Sequence, residues 1–197
     1  MKYTIIKKAI DKDLASFLFN YFLVKKQVLD TCLKHRYISP FEQMLGTYKD
    51  EQVPNTYSHY SDIAMETLML KCQPIMEKTT GLKLYPAYIY KKGDELKRHK
   101  DRFSCEWSTT MNLGGDSWPI YLEPSGETGK KGIKVDLKPG DMLVYSGCEL
   151  EHWRNKFKGG ECIQVFLHYN NRKTPGSKNN MFDKRPHLGL PAWFKKK

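Results

Sequence analysis

The chain has 197 residues and a formal net charge of +11, and 40% of its residues are hydrophobic. This length suits one domain with a full core and argues against two domains. Aromatic residues make up 13% of the chain, which argues against a disordered polypeptide, and no apolar run is long enough to span a bilayer. We expect no membrane contact, and we expect cytoplasmic localisation because the N-terminal stretch lacks the apolar segment of a secretory signal.

The cysteines and the charge distribution narrow the class of protein further. Five cysteines without a CxxC pair indicate free thiols rather than a disulfide framework or a thiolate zinc site. Residues 171–197 hold eight Lys and Arg against one acid, so most of the excess charge lies at the end of the chain. We interpret this segment as a solvated basic tail, with attraction of a polyanion as the alternative.

The first third of the chain has a helical pattern. From Asp11, a candidate N-cap, apolar residues recur at steps of three and four. A second apolar stripe begins at Met65 and ends at Gly81, and it contains Pro74. The pattern predicts a second helix with a kink or a break at this proline.

From residue 82 the pattern changes to short strand-like runs separated by Gly, Pro and Asp turns. The runs are LKLYPAYIY, CEWSTTMNL, WPIYLEP, GIKVDL, DMLVYSG and CIQVFLHYN. They predict a mainly β fold, a jelly roll with two helices packed on one sheet. We expect one domain over 1–170, with helical support in 11–80 and a β core in 82–170, followed by the basic tail 171–197.

Three residues could form a metal site. His99 and Asp101 lie two positions apart after a strand-like segment, so their side chains can project the same way. His152 follows a late strand, which a jelly roll can bring beside an early one. Two histidines and one carboxylate are the ligand set of non-haem Fe(II) oxygenases. The alternative is that all three are solvated or capping residues near charged turns.

Three stretches resemble the Fe(II)/2-oxoglutarate-dependent dioxygenase superfamily, and within it the prolyl 4-hydroxylase-like branch with its bacterial and phage members. They are YIYKKGDELKRHKDRFSCEWSTTMNL, WPIYLEP and LKPGDMLVYSGCELEHWRNKFKGGECIQVFLHY. The matching elements are a tyrosine and Gly-Asp ahead of His-x-Asp, a Pro-Gly-Asp turn that opens a late strand, and the distal histidine.

This resemblance implies a cupin-like double-stranded β-helix in which His99, Asp101 and His152 bind Fe(II). It also implies that 2-oxoglutarate and O₂ are converted to succinate and CO₂ while a C–H bond of the substrate is hydroxylated. Ascorbate is a further candidate cofactor. Related halogenases have a small residue where this chain has Asp101, so the carboxylate favours hydroxylation.

The far carboxylate of 2-oxoglutarate needs a buried cation. Members of the branch usually supply it roughly nine to ten residues after the distal histidine, where this chain has Glu161 and Cys162. We expect Arg154 to take the role, because strand alternation aims it to the side of His152. Its alternative is a surface arginine.

Other residues are weaker candidates for contact with the cosubstrate. Lys156 and Lys158 could replace Arg154, and Gln164 could donate a hydrogen bond. Tyr90 resembles the tyrosine that contacts the cosubstrate in relatives, and Asn112 lies where relatives place another polar contact. A core aromatic is the alternative for Tyr90, and we interpret His168 as a core histidine.

The branch suggests a prolyl or other amino-acid residue in a peptide or protein, or a free amino acid, as the substrate. Arg102, Trp107, Trp118 and Trp153 could recognise it at the mouth of the barrel, although the tryptophans could equally close sheet edges. Two alternatives remain open: a nucleic-acid base demethylase of the same superfamily, and a non-catalytic jelly-roll binding module. We expect no nucleic-acid partner, because the chain lacks the arginine-rich final strand of the demethylases.

Overall fold

The computed structural model of the chain describes residues 2–36, 44–48, 57–90, 96–191 and 193–194, with the side chains of 88–90 left out. Within these residues there are two long helices, α1 (Lys12–Lys34) and α2 (Ile63–Thr80), and nine strands. The strands are β1 (Tyr3–Ile6), β2 (Leu84–Tyr90), β3 (Leu96–His99), β4 (Trp107–Gly115), β5 (Ile120–Leu122), β6 (Ile133–Val135), β7 (Met142–Ser146), β8 (His152–Arg154) and β9 (Cys162–Asn171).

The first helix begins and the second helix ends where the sequence predicts, while the second helix begins at Ile63, two residues before the apolar stripe at Met65. The Asp11 side chain caps α1 by accepting a hydrogen bond from the Leu14 N–H at 2.7 Å. Gly81 ends α2 in the left-handed conformation, with φ of 72°. The helix continues through Pro74 without a break, because buried residues on either side of the proline offset the hydrogen bond that it cannot donate.

The strands form two antiparallel sheets. The large sheet has the order β1-β7-β4-β9-β2, and the small sheet has the order β3-β8-β5-β6. The helices and the large sheet share the main apolar core, and a smaller apolar cluster includes residues of both sheets. The predicted fold class, a jelly roll with helices packed on one sheet, is confirmed. Three strands of three or four residues, β1, β3 and β8, were not predicted as separate elements.

Strands β4 and β9, which are neighbours in the large sheet, have one mainly apolar face and one mainly polar face. On one face of these strands, five apolar residues belong to the main core that the helices share: Met111, Leu113, Ile163, Val165 and Leu167. On the opposite face, six residues are polar and still buried: Ser108, Thr110, Asn112, Gln164, His168 and Asn170. Because strand residues alternate between faces, these polar groups are directed toward the small sheet. Buried polar groups need hydrogen-bond partners, so the space between the two sheets is where we expect a binding site.

The segment after β9 packs back against the core. Arg185 is 4% exposed, and its guanidinium forms an ion pair with Glu66 of α2, which is 2% exposed. The second oxygen of Glu66 accepts a hydrogen bond from the Gly189 N–H at 2.5 Å. The segment is therefore docked on α2, which differs from the solvated tail that we expected.

Neither of the two long helices within the described residues combines the length and the apolar character that crossing a membrane requires.

Candidate metal centre and cosubstrate pocket

His99, Asp101 and His152 meet at one end of the small sheet. His99 ends β3 and pairs in register with His152 at the start of β8. Asp101 follows β3, and its backbone N–H donates to the Gly147 carbonyl at 2.9 Å. One ligand atom from each of the three side chains lies within 4.8 Å of the others. The predicted return of a late strand beside an early one is what brings the three together.

Both histidines direct the same ring nitrogen at the carboxylate. The Nδ1 atoms lie 2.8 Å from the Lys97 carbonyl in His99 and 3.0 Å from the Leu150 carbonyl in His152. A carbonyl only accepts, so each Nδ1 carries a proton and Nε2 is the ring nitrogen that faces Asp101. Both Nε2 atoms lie 3.5 Å from Oδ1 of Asp101. Two imidazole nitrogens and one carboxylate oxygen therefore converge.

The site is open on one side. The side chain of His99 is 35% exposed, that of Asp101 is 13% exposed and that of His152 is 3% exposed. Burial alone would raise the pKa of Asp101, but its interactions with His152 and His99 hold it well below its usual range. Asp101 is thus a carboxylate at neutral pH, as a cation ligand must be.

Arg154 lies on the same strand as His152 and is fully enclosed. Its guanidinium donates to the Trp118 carbonyl, to the Thr110 hydroxyl at 2.9 Å and to the Gln164 side-chain oxygen at 3.3 Å. Its Nε is buried and has no hydrogen-bond partner. Burial lowers the pKa of Arg154 to about 10, which leaves it charged at neutral pH. Among the described residues no carboxylate pairs with it, so the pocket holds an uncompensated cation.

The other predicted cosubstrate residues have different surroundings. Gln164 is in the Arg154 pocket, but its amide NH₂ donates to the Cys162 sulfur at 3.2 Å. Asn112 donates to the Leu137 carbonyl at 2.7 Å, while its buried Oδ1 has no partner. The Tyr90 side chain lies outside the described residues.

The lysine substitutes for Arg154 do not reach the pocket. Lys156 and Lys158 follow the end of β8 and are exposed to solvent. Of Arg154, Lys156 and Lys158, only Arg154 is buried.

Three site residues were not identified from the sequence. Ser108 hydrogen-bonds Oδ2 of Asp101 at 2.6 Å. Thr110 contacts Arg154, and the Tyr145 ring packs edge-on against His152 at 4.7 Å. The signal that could have found the first two is the alternation in STTMNL, which places a serine and a threonine on the face opposite the apolar Met and Leu.

The tryptophans proposed for substrate contact are engaged elsewhere. Trp153 faces the outside of the small sheet, where it stacks on Tyr121 at 5.6 Å and under the Arg98 guanidinium at 4.2 Å. Trp118 lies against Arg154 and donates its indole N–H to the Asn155 carbonyl at 2.7 Å.

Trp107 is partly buried and packs against the main apolar core. Of the four residues expected at the mouth, only Arg102 is exposed.

Comparison with known proteins gives structural matches only. No family model and no curated protein matches the sequence. AviO1 from Streptomyces viridochromogenes is 12% identical with a TM-score of 0.62, over 89% of this chain and 92% of AviO1. HygX from Streptomyces hygroscopicus, solved with nickel and 2-oxoglutarate bound, is 11% identical with a TM-score of 0.61, over 100% of this chain and 92% of HygX.

A third match is EctD from S. alaskensis, solved with 2-oxoglutarate and 5-hydroxyectoine. It is 12% identical with a TM-score of 0.57, over 99% of this chain and 83% of EctD. These matches cover nearly the whole chain, so both helices and both sheets belong to the shared architecture. The chain therefore has the fold of the 2-oxoglutarate-dependent oxygenases.

Proposed function

We propose that the protein is an Fe(II)- and 2-oxoglutarate-dependent dioxygenase that hydroxylates a C–H bond. His99, Asp101 and His152 would hold the iron, and Arg154 would pair with the far carboxylate of 2-oxoglutarate. The observation that carries this proposal lies on β8: His152 completes the donor set, and two residues away Arg154 is a buried guanidinium that no carboxylate among the described residues pairs with.

The donor set fits the metal. Two neutral imidazoles and one carboxylate suit Fe(II) and leave coordination positions for a chelating cosubstrate and O₂. When bound, the iron would supply the oxidative chemistry, with 2-oxoglutarate converted to succinate and CO₂. The backbone carbonyls of Lys97 and Leu150 would support it by fixing both ring tautomers.

The Arg154 pocket fits the cosubstrate. A buried guanidinium with one unpartnered N–H favours a carboxylate strongly, since it gains both a counter-charge and a hydrogen bond. The hydroxyl of Thr110 accepts from the guanidinium at 2.9 Å and donates to the Gln164 side-chain oxygen at 3.3 Å, which would hold the guanidinium in place for the carboxylate. The enclosure excludes water, so the cosubstrate would be oriented with its keto acid end toward His152.

The substrate that we propose is an amino-acid residue of a peptide or protein, such as a prolyl residue, or a free amino acid. Lys97, Lys100 and Arg102 lie within three residues of His99 in the chain, and all three are exposed. A substrate with a carboxylate group would gain from this local positive potential. Acidic peptides and free amino acids should therefore be better substrates than neutral, blocked peptides.

The decisive experiment measures Mn(II) and 2-oxoglutarate binding by calorimetry and Fe(II)-dependent succinate formation in the same preparation. The wild-type protein should bind both and form succinate, whereas His99→Ala and Asp101→Ala should lose metal binding and turnover. Lys158→Ala is the control, because it removes an exposed side chain six residues after His152. A folded wild-type protein that binds neither Mn(II) nor 2-oxoglutarate would instead be a non-catalytic jelly-roll module.

A further inference from the structure

The two oxygens of the Asp101 carboxylate have different surroundings. Oδ1 lies 3.5 Å from the Nε2 atom of each histidine of the site. Oδ2 is turned away from them and lies 2.6 Å from the Ser108 hydroxyl. A carboxylate can bind a metal through one oxygen or through both, and the partner of the second oxygen decides between these modes.

The hydroxyl of Ser108 has one proton and four close polar neighbours. Besides Oδ2 of Asp101, these are the Cys105 carbonyl at 3.0 Å, Nδ1 of His168 at 2.8 Å and the Tyr145 hydroxyl. A carboxylate and a carbonyl only accept, and the charged, closer oxygen is the stronger acceptor. The hydroxyl proton therefore goes to Oδ2, and Nδ1 of His168 donates its own proton to the Ser108 oxygen.

The strand pairing enforces this arrangement. Ser108 of β4 and His168 of β9 are direct partners in the large sheet, so their side chains share the face that looks into the site. Ser108 is fully buried and His168 is 4% exposed, so water cannot compete for the hydroxyl.

Gly147 lies against the remaining side of the Asp101 carboxylate. A Cβ added to Gly147 would overlap Oδ2 of Asp101 and would lie 2.5 Å from both the Ser108 oxygen and the Cys105 carbonyl. The Gly147 carbonyl also accepts the Asp101 backbone N–H at 2.9 Å. Asp101 is thus held from both its backbone and its outer oxygen.

We propose that Ser108 is the positioning residue of the Asp101 carboxylate and that His168 sets the direction of its hydroxyl. The hydrogen bond occupies Oδ2 and leaves Oδ1 for the cation, so that Asp101 acts as a one-oxygen ligand and does not take a second coordination position. This inference rests on the proposed function. Neither Ser108 nor His168 contacts the cation; both act through Asp101.

The test is the affinity for Mn(II) alone, measured by calorimetry on the full chain without 2-oxoglutarate or turnover. Ser108→Ala should weaken the affinity by about 10- to 100-fold, the range typical for loss of a partner of a metal ligand. Thr109→Val is the matched control: it removes a buried hydroxyl from the same strand, but that hydroxyl accepts from the Leu167 N–H at 3.2 Å on the opposite face. The control should change the affinity less than twofold.

A second pair of variants leaves Ser108 in place. His168→Asn keeps an N–H donor near the position of Nδ1, and His168→Leu removes it, so the asparagine variant should bind Mn(II) more tightly than the leucine variant. If Ser108→Ala does not fold, the comparison between His168→Asn and His168→Leu still tests the positioning role of the Ser108 hydroxyl. The electron paramagnetic resonance spectrum of bound Mn(II) should change in Ser108→Ala and stay unchanged in Thr109→Val, which a loss of stability alone would not produce.

The outcomes separate the two proposals. If the wild-type protein does not bind Mn(II), the proposed function fails. If the wild-type protein binds Mn(II), His99→Ala does not, and both Ser108→Ala and His168→Leu bind within twofold of the wild type, the metal site stands and the positioning role of Ser108 is wrong.

Discussion

His152 and Arg154 project from the same face of β8, and each is 2% exposed. The residue between them, Trp153, faces the outside of the small sheet. Residues two apart on a strand are separated by roughly 7 Å, which is comparable with the reach of a five-carbon dicarboxylate. A strand of three residues can therefore hold one end of the cosubstrate at the metal and the other end at a buried guanidinium.

Replacing Arg154 should abolish tight binding of 2-oxoglutarate while leaving metal binding nearly unchanged. Removing one member of a buried, hydrogen-bonded charge pair costs about 2–5 kcal/mol, so Arg154→Met should weaken 2-oxoglutarate binding by roughly thirtyfold or more. Calorimetric titration of the Mn(II)-loaded protein measures the effect.

Lys156→Ala and Lys158→Ala are the controls for Arg154, because both lysines follow β8 and are exposed. Both variants should bind 2-oxoglutarate as the wild-type protein does. If either variant lost the cosubstrate while Arg154→Met retained it, the pocket would have been assigned to the wrong cation.

Gly147→Ala should disturb the metal site without replacing any of its ligands. The added methyl group would overlap Oδ2 of Asp101, so the carboxylate must shift and the Mn(II) affinity should fall by about tenfold or more. Gly160→Ala is the control, since a Cβ there meets Asp116 Oδ2 at an ordinary 3.6 Å. Equal Mn(II) affinity in the two variants, measured by calorimetry, would contradict the expectation.

A buried ionic cluster between the two helices should make stability depend on pH. Asp62, the N-cap of α2, lies 2.5 Å from the Lys25 ammonium and accepts from the Tyr21 hydroxyl at 2.8 Å. Burial alone would raise the pKa of Asp62, but contacts with His59, Lys25 and Tyr21 hold it well below its usual range. Because the pKa is lowered on folding, the stabilisation is complete above pH of about 4 and is lost as the pH falls through the folded-state pKa.

The variant Asp62→Asn measures this contribution, because asparagine can still cap the helix. It should lower the free energy of unfolding by about 3 kcal/mol at neutral pH, and the difference from the wild type should begin to shrink below pH of about 4. Urea unfolding at several pH values gives both quantities. Asp30→Asn, which removes a half-exposed partner of Lys26, should cost less than about 1 kcal/mol at every pH.

The sequence predicts the parts of this fold that depend on local periodicity. The helix stripes, the Asp11 cap and the Gly81 terminus follow from the pattern of apolar and special residues, and the fold class follows from the strand-like runs. The predicted triad comes together because strand pairing sets His99 against His152. Both the two-residue spacing of His99 and Asp101 and the return of a late strand that carries His152 can be predicted from the sequence.

Partners that lie far apart in the sequence could not be predicted. Ser108 and His168 are 60 residues apart, and the enclosure of Arg154 depends on Thr110 and Gln164 from two strands of the other sheet. Hydropathy shows that such residues are polar but not that they are buried, since burial arises from the packing of distant elements. Short strands such as β8 have too few residues for a periodic signal.

The ion pair between Glu66 and Arg185 should make the end of the chain essential for stability. Both side chains are almost completely buried, and Arg185→Ala would leave Glu66 as an uncompensated charge, at a cost of about 3–5 kcal/mol. Truncation after Asn171 should be at least as destabilising, because it also removes the Gly189 N–H donor. Thermal and urea unfolding measure both effects.

Lys184→Ala is the matched control, since it removes a neighbouring but exposed positive charge and should change stability by less than about 0.5 kcal/mol. The double variant Glu66→Leu with Arg185→Leu should recover much of the loss, because replacing both members of a buried pair avoids the unpaired charge. If truncation after Asn171 left the unfolding free energy unchanged, the segment would be a dispensable appendage, and any effect on turnover would have to come from its exposed lysines.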